Sequence, residues 1–245
     1  MPSCTPAALP AALLLMLLFL PGCASEPAGT PVRAQGSADQ GADSATEGWW
    51  YVRFRLAWPK DAEPAWHRDL LLADQVVRPV LADHREVISL WRFHRRAARD
   101  GAGHRFAFIF RSSPAVAARV YDQMRTNPTL TRLEQRGVVK SVDYDDLGHL
   151  KRPGIADTSD RAWSPQMQAA WPAYIMGVSQ LWLDLIEQVG REGDWPRGLD
   201  ARYRAIDASV TKIWQSEGSH ALLHHLNALF GYRPVIVTTQ APMRF

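Results

Sequence analysis

Apolar and polar residues alternate from Trp49 to Trp58 (WWYVRFRLAW), with Trp50, Val52, Phe54 and Leu56 on one side and Tyr51, Arg53 and Arg55 on the other. A period of two predicts a strand with one buried face. From Trp66 to Asp83 the period lengthens: Leu70, Leu71, Asp74, Val77, Val80 and Leu81 fall at helical spacing, with Pro79 placed to kink the end. Two further strands are expected at Glu86 to Arg96 and His104 to Arg111, joined through the turn Asp100-Gly101-Ala102-Gly103. Ser113-Pro114 is an N-cap followed by a first-turn proline, so Pro114 to Arg125 reads as a helix, continued or restarted from Asn127-Pro128 to Arg136. Gly137 stops it, and Val138 to Tyr144 reads as a fourth strand.

The order β-α-β-β-α-β predicts an α+β domain built on a ferredoxin-like sheet, with helices on one face and the other left free. In the central hairpin Trp91 and Phe93 must lie beside Phe108 and Phe110, which sets Phe93 opposite Phe108. Arg92, His94 and Arg96 then share a side with Arg105, Ile109 and Arg111, and Arg53 and Arg55 join them from the first strand. After an irregular stretch, Ser164-Pro165 opens a helix to about Gly190, and a second runs from about Leu199 to Phe230 with a break expected at Gly218. Gly231 and Pro234 close it, and Val235 to Thr239 reads as a short strand. The two long C-terminal helices are expected to pack on the sheet, across its second face or against its edge.

The N-terminus reads differently. Ala7 to Leu20 is an apolar run too short to span a bilayer, which fits a secretory signal over residues 1–22. Leu20-Pro21-Gly22-Cys23 resembles a bacterial lipobox, so Cys23 is the expected lipidation site. Ala24 rather than Asp follows it, which points to the outer membrane, facing the periplasm. Cleavage after Ala24 instead would release a soluble periplasmic or secreted chain. Residues 23–47 are rich in Ala, Gly, Ser, Pro and Asp and lack aromatics, as a tether does. Residues 48–245 form the working domain, with the sheet in 48–144 and the long helices in 164–231.

Composition narrows the chemistry. The 245 residues are 47% hydrophobic and 22% charged, an ordinary globular balance. Cys4 and Cys23 are the two cysteines, which excludes a disulfide framework or a thiolate metal site in the domain. The formal charge of +3 does not call for nucleic acid, and none is expected as a partner. Of the 28 basic residues, Lys60, Lys140, Lys151 and Lys212 are the lysines, so guanidinium groups carry most of the positive charge. Arg53, Arg55, His94 and Arg111, with Arg92 and Arg105, form a candidate site for a peptide or an anionic ligand, since planar guanidiniums bind carboxylate and phosphate in bidentate fashion. His220, His224 and His225 crowd one late helical segment and offer a general acid or base. Glu217-x-x-His220 with His224 has metal-ligand spacing, yet only one such element occurs, so no metal or other cofactor is expected.

Four motifs carry a resemblance: Trp49-Trp50-Tyr51, Leu90-Trp91-Arg92-Phe93, His104-Arg105-Phe106, and His224-His225-Leu226-Asn227-Ala228-Leu229-Phe230-Gly231. Together they resemble the C-terminal, glutamate-eliminating domain of lanthipeptide dehydratases and the related thiopeptide-type bacteriocin biosynthesis proteins. The resemblance implies that Arg92 and Arg105 handle a glutamyl ester and that His224 or His225 is the acid/base residue. A lyase or peptide-modifying enzyme is therefore the alternative to a lipid-anchored binding module, and the sequence leaves the choice open.

Overall fold

The structure, a computed structural model, describes residues 46–234. The signal-like segment, Cys23, the tether up to residue 45 and the strand expected at Val235 to Thr239 lie outside those residues. Strands β1 (Gly48–Leu56), β2 (Leu90–Ala97), β3 (His104–Ser112) and β4 (Val139–Tyr144) form one antiparallel sheet in the order β2-β3-β1-β4. The chain goes from β1 to β2 through α1 (His67–Leu72), a π-helical turn (Ala73–Val77) and α2 (Arg78–Asp83). It goes from β3 to β4 through α3 (Pro114–Arg125) and α4 (Pro128–Gln135), so each helical connection skips over a strand of the other.

Alternation decides which face is covered. Trp50, Val52, Phe54, Phe93, Phe106, Phe108 and Phe110 are buried in one core with α1 and α3. Phe93 lies opposite Phe108 and Trp91 opposite Phe110, the pairing that keeps every ring of the hairpin on the core side. The rings meet tilted or stacked, Phe93 and Phe106 tilted with centroids 5.2 Å apart and Phe108 and Phe110 stacked at 5.0 Å. Leu70, Leu71, Leu72, Ala73, Val76 and Val77 are all buried, so α1 and the turn after it are covered on most of their surface, with Arg68, Asp74 and Gln75 partly exposed. The sheet covers one flank and α6 (Leu199–Gly218) the other.

Both long helices were expected on the sheet, and the structure divides them. Helix α5 (Pro165–Glu192) runs along the rim at β2, where the Ser179 hydroxyl accepts the outward N–H of Phe93 at 3.1 Å and donates to the Ile175 carbonyl at 2.8 Å. Helix α6 packs mainly on α1 and α5, burying Tyr203, Ile206 and Val210. The second sheet face is different in kind: arginines occupy much of it, and its apolar residues Trp49, Ala107 and Ile109 are already buried in a small cluster of their own, leaving α6 the apolar flank of α1. The break expected at Gly218 is instead a π-helical stretch, Ser219–His224, leading into α7 (His225–Leu229), and Gly231 at φ 65° ends the run. A Cβ on Gly218 would come within 2.7 Å of the Trp214 ring, so the glycine permits that close turn. Among the described residues no helix is long and apolar enough to cross a membrane.

Two prolines sit inside helices, and each leaves a carbonyl without its usual donor. Pro79 cannot donate to Gln75, and the Asn127 side-chain amide donates to that carbonyl at 3.1 Å. The same Asn127 accepts from Thr129 and Leu130 N–H at 2.9 and 3.0 Å, capping α4. Pro172 in α5 cannot donate to Gln168, whose carbonyl accepts the Ser159 hydroxyl at 2.7 Å.

Candidate functional site

The sheet face away from α1 and α3 is built by the register of three strands; it was expected to be free, but Trp49, Ala107 and Ile109 on it are buried, and Trp49 Nε1 donates to the Gly154 and Ile155 carbonyls, so the loop before α5 covers that end. Arg55 lies opposite Arg105, and Arg105 lies opposite Arg96, so three guanidinium side chains stand in one row across β1, β3 and β2. The next row is Arg53, Ala107 and His94, and the one after it Tyr51, Ile109 and Arg92. Like charges directly opposite each other in a sheet are destabilising, by a few tenths of a kcal/mol to about 1 kcal/mol per pair. The fold carries that cost twice in a single row.

Acids offset part of this charge. Arg53 pairs with Asp145 at 3.2 Å and stacks over the Tyr51 ring, and Arg152, also paired to Asp145, covers the same ring at 4.0 Å. Arg111 pairs with Glu47, and Arg96 with Asp100 at 2.7 Å. Arg55, Arg92 and Arg105 have no acidic partner among the described residues. His94 is exposed at the centre of this group; desolvation by its neighbours and then the charges of Arg92, Arg96 and Arg105 push its pKa down.

Arg92 differs from the rest. It is only 9% exposed and its Nη2 donates to the Thr158 carbonyl at 3.3 Å, while its Nε, like those of Arg105 and Arg111, is buried with no partner. Burial lowers its pKa, and the Trp171 ring lies 4.9 Å beneath the guanidinium. It opens into a cavity of about 630 Å³ between β2 and α5 that also contains Trp163, Trp182 and Ile175.

The expected site residues thus divide. Arg53, Arg55, Arg92, His94, Arg105 and Arg111 share one sheet face, as alternation requires. The structure does not bring His224 or His225 to them. Those rings and His220 are exposed beyond the end of α6 and cluster with centroids 5.2 to 5.6 Å apart, His220 and His224 stacked and His225 edge-on to His224. Tyr232 reaches His224 at 3.3 Å. No hydrogen bond or ring contact joins these three histidines to a sheet residue among the described residues. The physical reason is that α6 lies outside α1, which directs its C-terminal extension away from the arginine face.

Sequence reasoning missed a buried ionic cluster on the core side. Asp69, fully buried, pairs with Arg95 at 2.9 Å, and its other oxygen lies 3.0 Å from His104 Nε2, off the hydrogen-bond direction. Trp66 and Trp182 lie over Arg95 at 5.1 and 4.8 Å. The signal was available: Arg95 is in phase with Trp91 and Phe93, His104 with Phe106 and Phe108, and Asp69 adjoins the buried Leu70. Charged residues at core positions need each other. Nearby Asp207 is half-buried, and desolvation raises its pKa against the pull of Arg95.

No protein-family model matches the chain, and no curated protein does. Among solved structures, the crystal structure of TsrL is similar at 15% identity and a TM-score of 0.34, covering 74% of this chain. The match spans 56% of that chain's length. A likeness at that level carries neither fold nor activity.

Proposed function

We propose that the domain is a binding module for an anionic ligand or an acidic peptide, received on the exposed arginine face and held at the cell envelope by a lipid on Cys23. The observation that carries the reading is the row Arg55, Arg105 and Arg96, in which directly opposed cations are kept on an open surface with one acid, Asp100, to offset them. A ligand carboxylate or phosphate would supply the missing counter-charge through bidentate contacts. Two interleaved β-α-β connections support the ferredoxin-like description of the scaffold, since that topology leaves a sheet face free. The envelope address rests on the lipobox-like Leu20-Pro21-Gly22-Cys23.

The test is titration of the full chain with fluorescein-labelled hexaglutamate at low and high salt, beside the double variant Arg55→Ala, Arg105→Ala. Binding that weakens with salt and falls at least about tenfold in the variant supports the module. Equal affinity of variant and wild type refutes it. For the address, palmitate labelling lost in Cys23→Ser supports the anchor, and equal labelling rejects it.

A second reading, a peptide-modifying enzyme, draws on one observation: His94 sits among Arg92, Arg96 and Arg105 with its pKa held down. A neutral imidazole beside guanidiniums combines a proton acceptor with anion stabilisation, the pairing that β-elimination needs. Under this reading His94 takes the acid/base role that the resemblance gives to His224 or His225. Loss of turnover of a glutamylated peptide in His94→Gln, with binding retained, would favour it over simple capture.

A further inference from the structure

A guanidinium taken out of water is ordinarily matched by a carboxylate, because desolvating an unpaired charge costs several kcal/mol. Arg92 breaks that rule. It is more than nine-tenths buried, its Nε has no acceptor, one Nη2 bond goes to the Thr158 carbonyl, and no acid pairs with it among the described residues. The ring of Trp171 at 4.9 Å offsets only part of the cost. By contrast Arg95, three residues along on the other face of the strand, is matched by the buried Asp69.

The space that Arg92 faces is shaped for more than an inorganic ion. The cavity of about 630 Å³ lies within the range of small-molecule sites. Its walls include Trp163, Trp171 and Trp182, and the first two pack with ring centroids 5.4 Å apart. Asp160 stands at the same cavity and disfavours a doubly charged group. Flat apolar walls, a single unmatched cation and a nearby acid together select one negative charge carried on an apolar body.

We propose that this cavity binds a free carboxylate attached to an aromatic or bulky aliphatic group, such as the C-terminal residue of a peptide, with Arg92 holding the carboxylate and Trp163 and Trp171 enclosing the apolar part. The proposal goes beyond the arginine-row reading, because Arg92 stands two rows from Arg105 and is buried where that row is open. A charge-assisted contact from a guanidinium that lacks a counter-charge discriminates against a neutral amide, which cannot supply one.

The full chain is titrated by calorimetry with N-acetyl-phenylalanine, N-acetyl-tryptophan and N-acetyl-leucine, and with the corresponding amides. At least one acid is expected to bind, with its amide at least about tenfold weaker. Arg92→Gln is expected to lose that preference for the acid. Trp163→Ala, at an exposed rim position that leaves folding intact, is expected to weaken the acid severalfold. The double variant Arg55→Ala, Arg105→Ala is expected to keep it, which separates failure of this site from failure of the open face. Absence of binding by all three acids, equal binding of acid and amide, or undiminished binding in both Arg92→Gln and Trp163→Ala overturns the proposal.

Discussion

At the scale of single residues, charge placement separates two kinds of arginine on the same strand. Arg95 faces the core and is matched by Asp69, while Arg92 and Arg96 face the other way. Asp69→Asn leaves Arg95 without its counter-charge, and the expected cost is about 3 kcal/mol in a denaturant titration with an unchanged m-value. A loss under about 1 kcal/mol would mean that Trp66 and Trp182 hold Arg95 on their own. Arg105→Ala is expected to do the opposite: removing the middle of the row relieves two like-charge contacts and raises stability by a few tenths to about 1 kcal/mol. The open-face arginines were legible because alternation alone assigns their side. The Asp69 cluster was less so, because Asp69 comes from a helix and which helical residue lies beneath Arg95 depends on a crossover that periodicity does not give.

Among the elements, the two helix-interior prolines are the features least visible in the pattern. Pro79 signals a kink, but nothing near it in sequence says that Asn127, far along the chain, supplies the missing donor. Asn127→Ala removes that bond and the cap on α4 together, with an expected loss of about 2 kcal/mol by thermal or chemical unfolding. Ser159→Ala orphans the Gln168 carbonyl above Pro172 and is expected to cost about 1 kcal/mol. In a Pro172→Ala background the helix supplies its own donor, so the same serine substitution should cost close to nothing; a full cost in both backgrounds would show that Ser159 acts elsewhere. The π-helical stretches likewise escape sequence reading, since a single widened turn shifts the apolar stripe by less than one residue spacing. Gly218 therefore looked like a break and is a continuation.

Across the whole molecule, the outer helix is stapled to the inner one by a carboxylate. Asp200 on α6 takes His67 at 3.0 Å and Arg68 at 3.1 Å; burial opposes its ionisation, but those two bonds hold its pKa at about 2. A folded pKa below the unfolded value near 4 means that its contribution is complete above pH 4 and is lost as the pH falls toward 2. His94 acts with the same sign at a higher window: its lowered pKa disfavours protonation in the folded state, so stability declines as the pH drops below about 6.5. Unfolding free energy measured against pH should accordingly fall in two stages. His94→Gln flattens the upper stage, and Asp200→Asn the lower, by no more than about 1 kcal/mol because Asp200 is half exposed. The position of α6 was what sequence could not supply: its stripe of Tyr203, Ile206 and Val210 says that it is covered on one side, not by what. That left His224 and His225 unplaced. The Ser179 hydroxyl on the Phe93 amide has a last effect, on behaviour at high concentration. With that rim occupied, a stray chain seeking to extend the sheet is left with six-residue β4, which carries Lys140, and runaway polymerisation has little purchase.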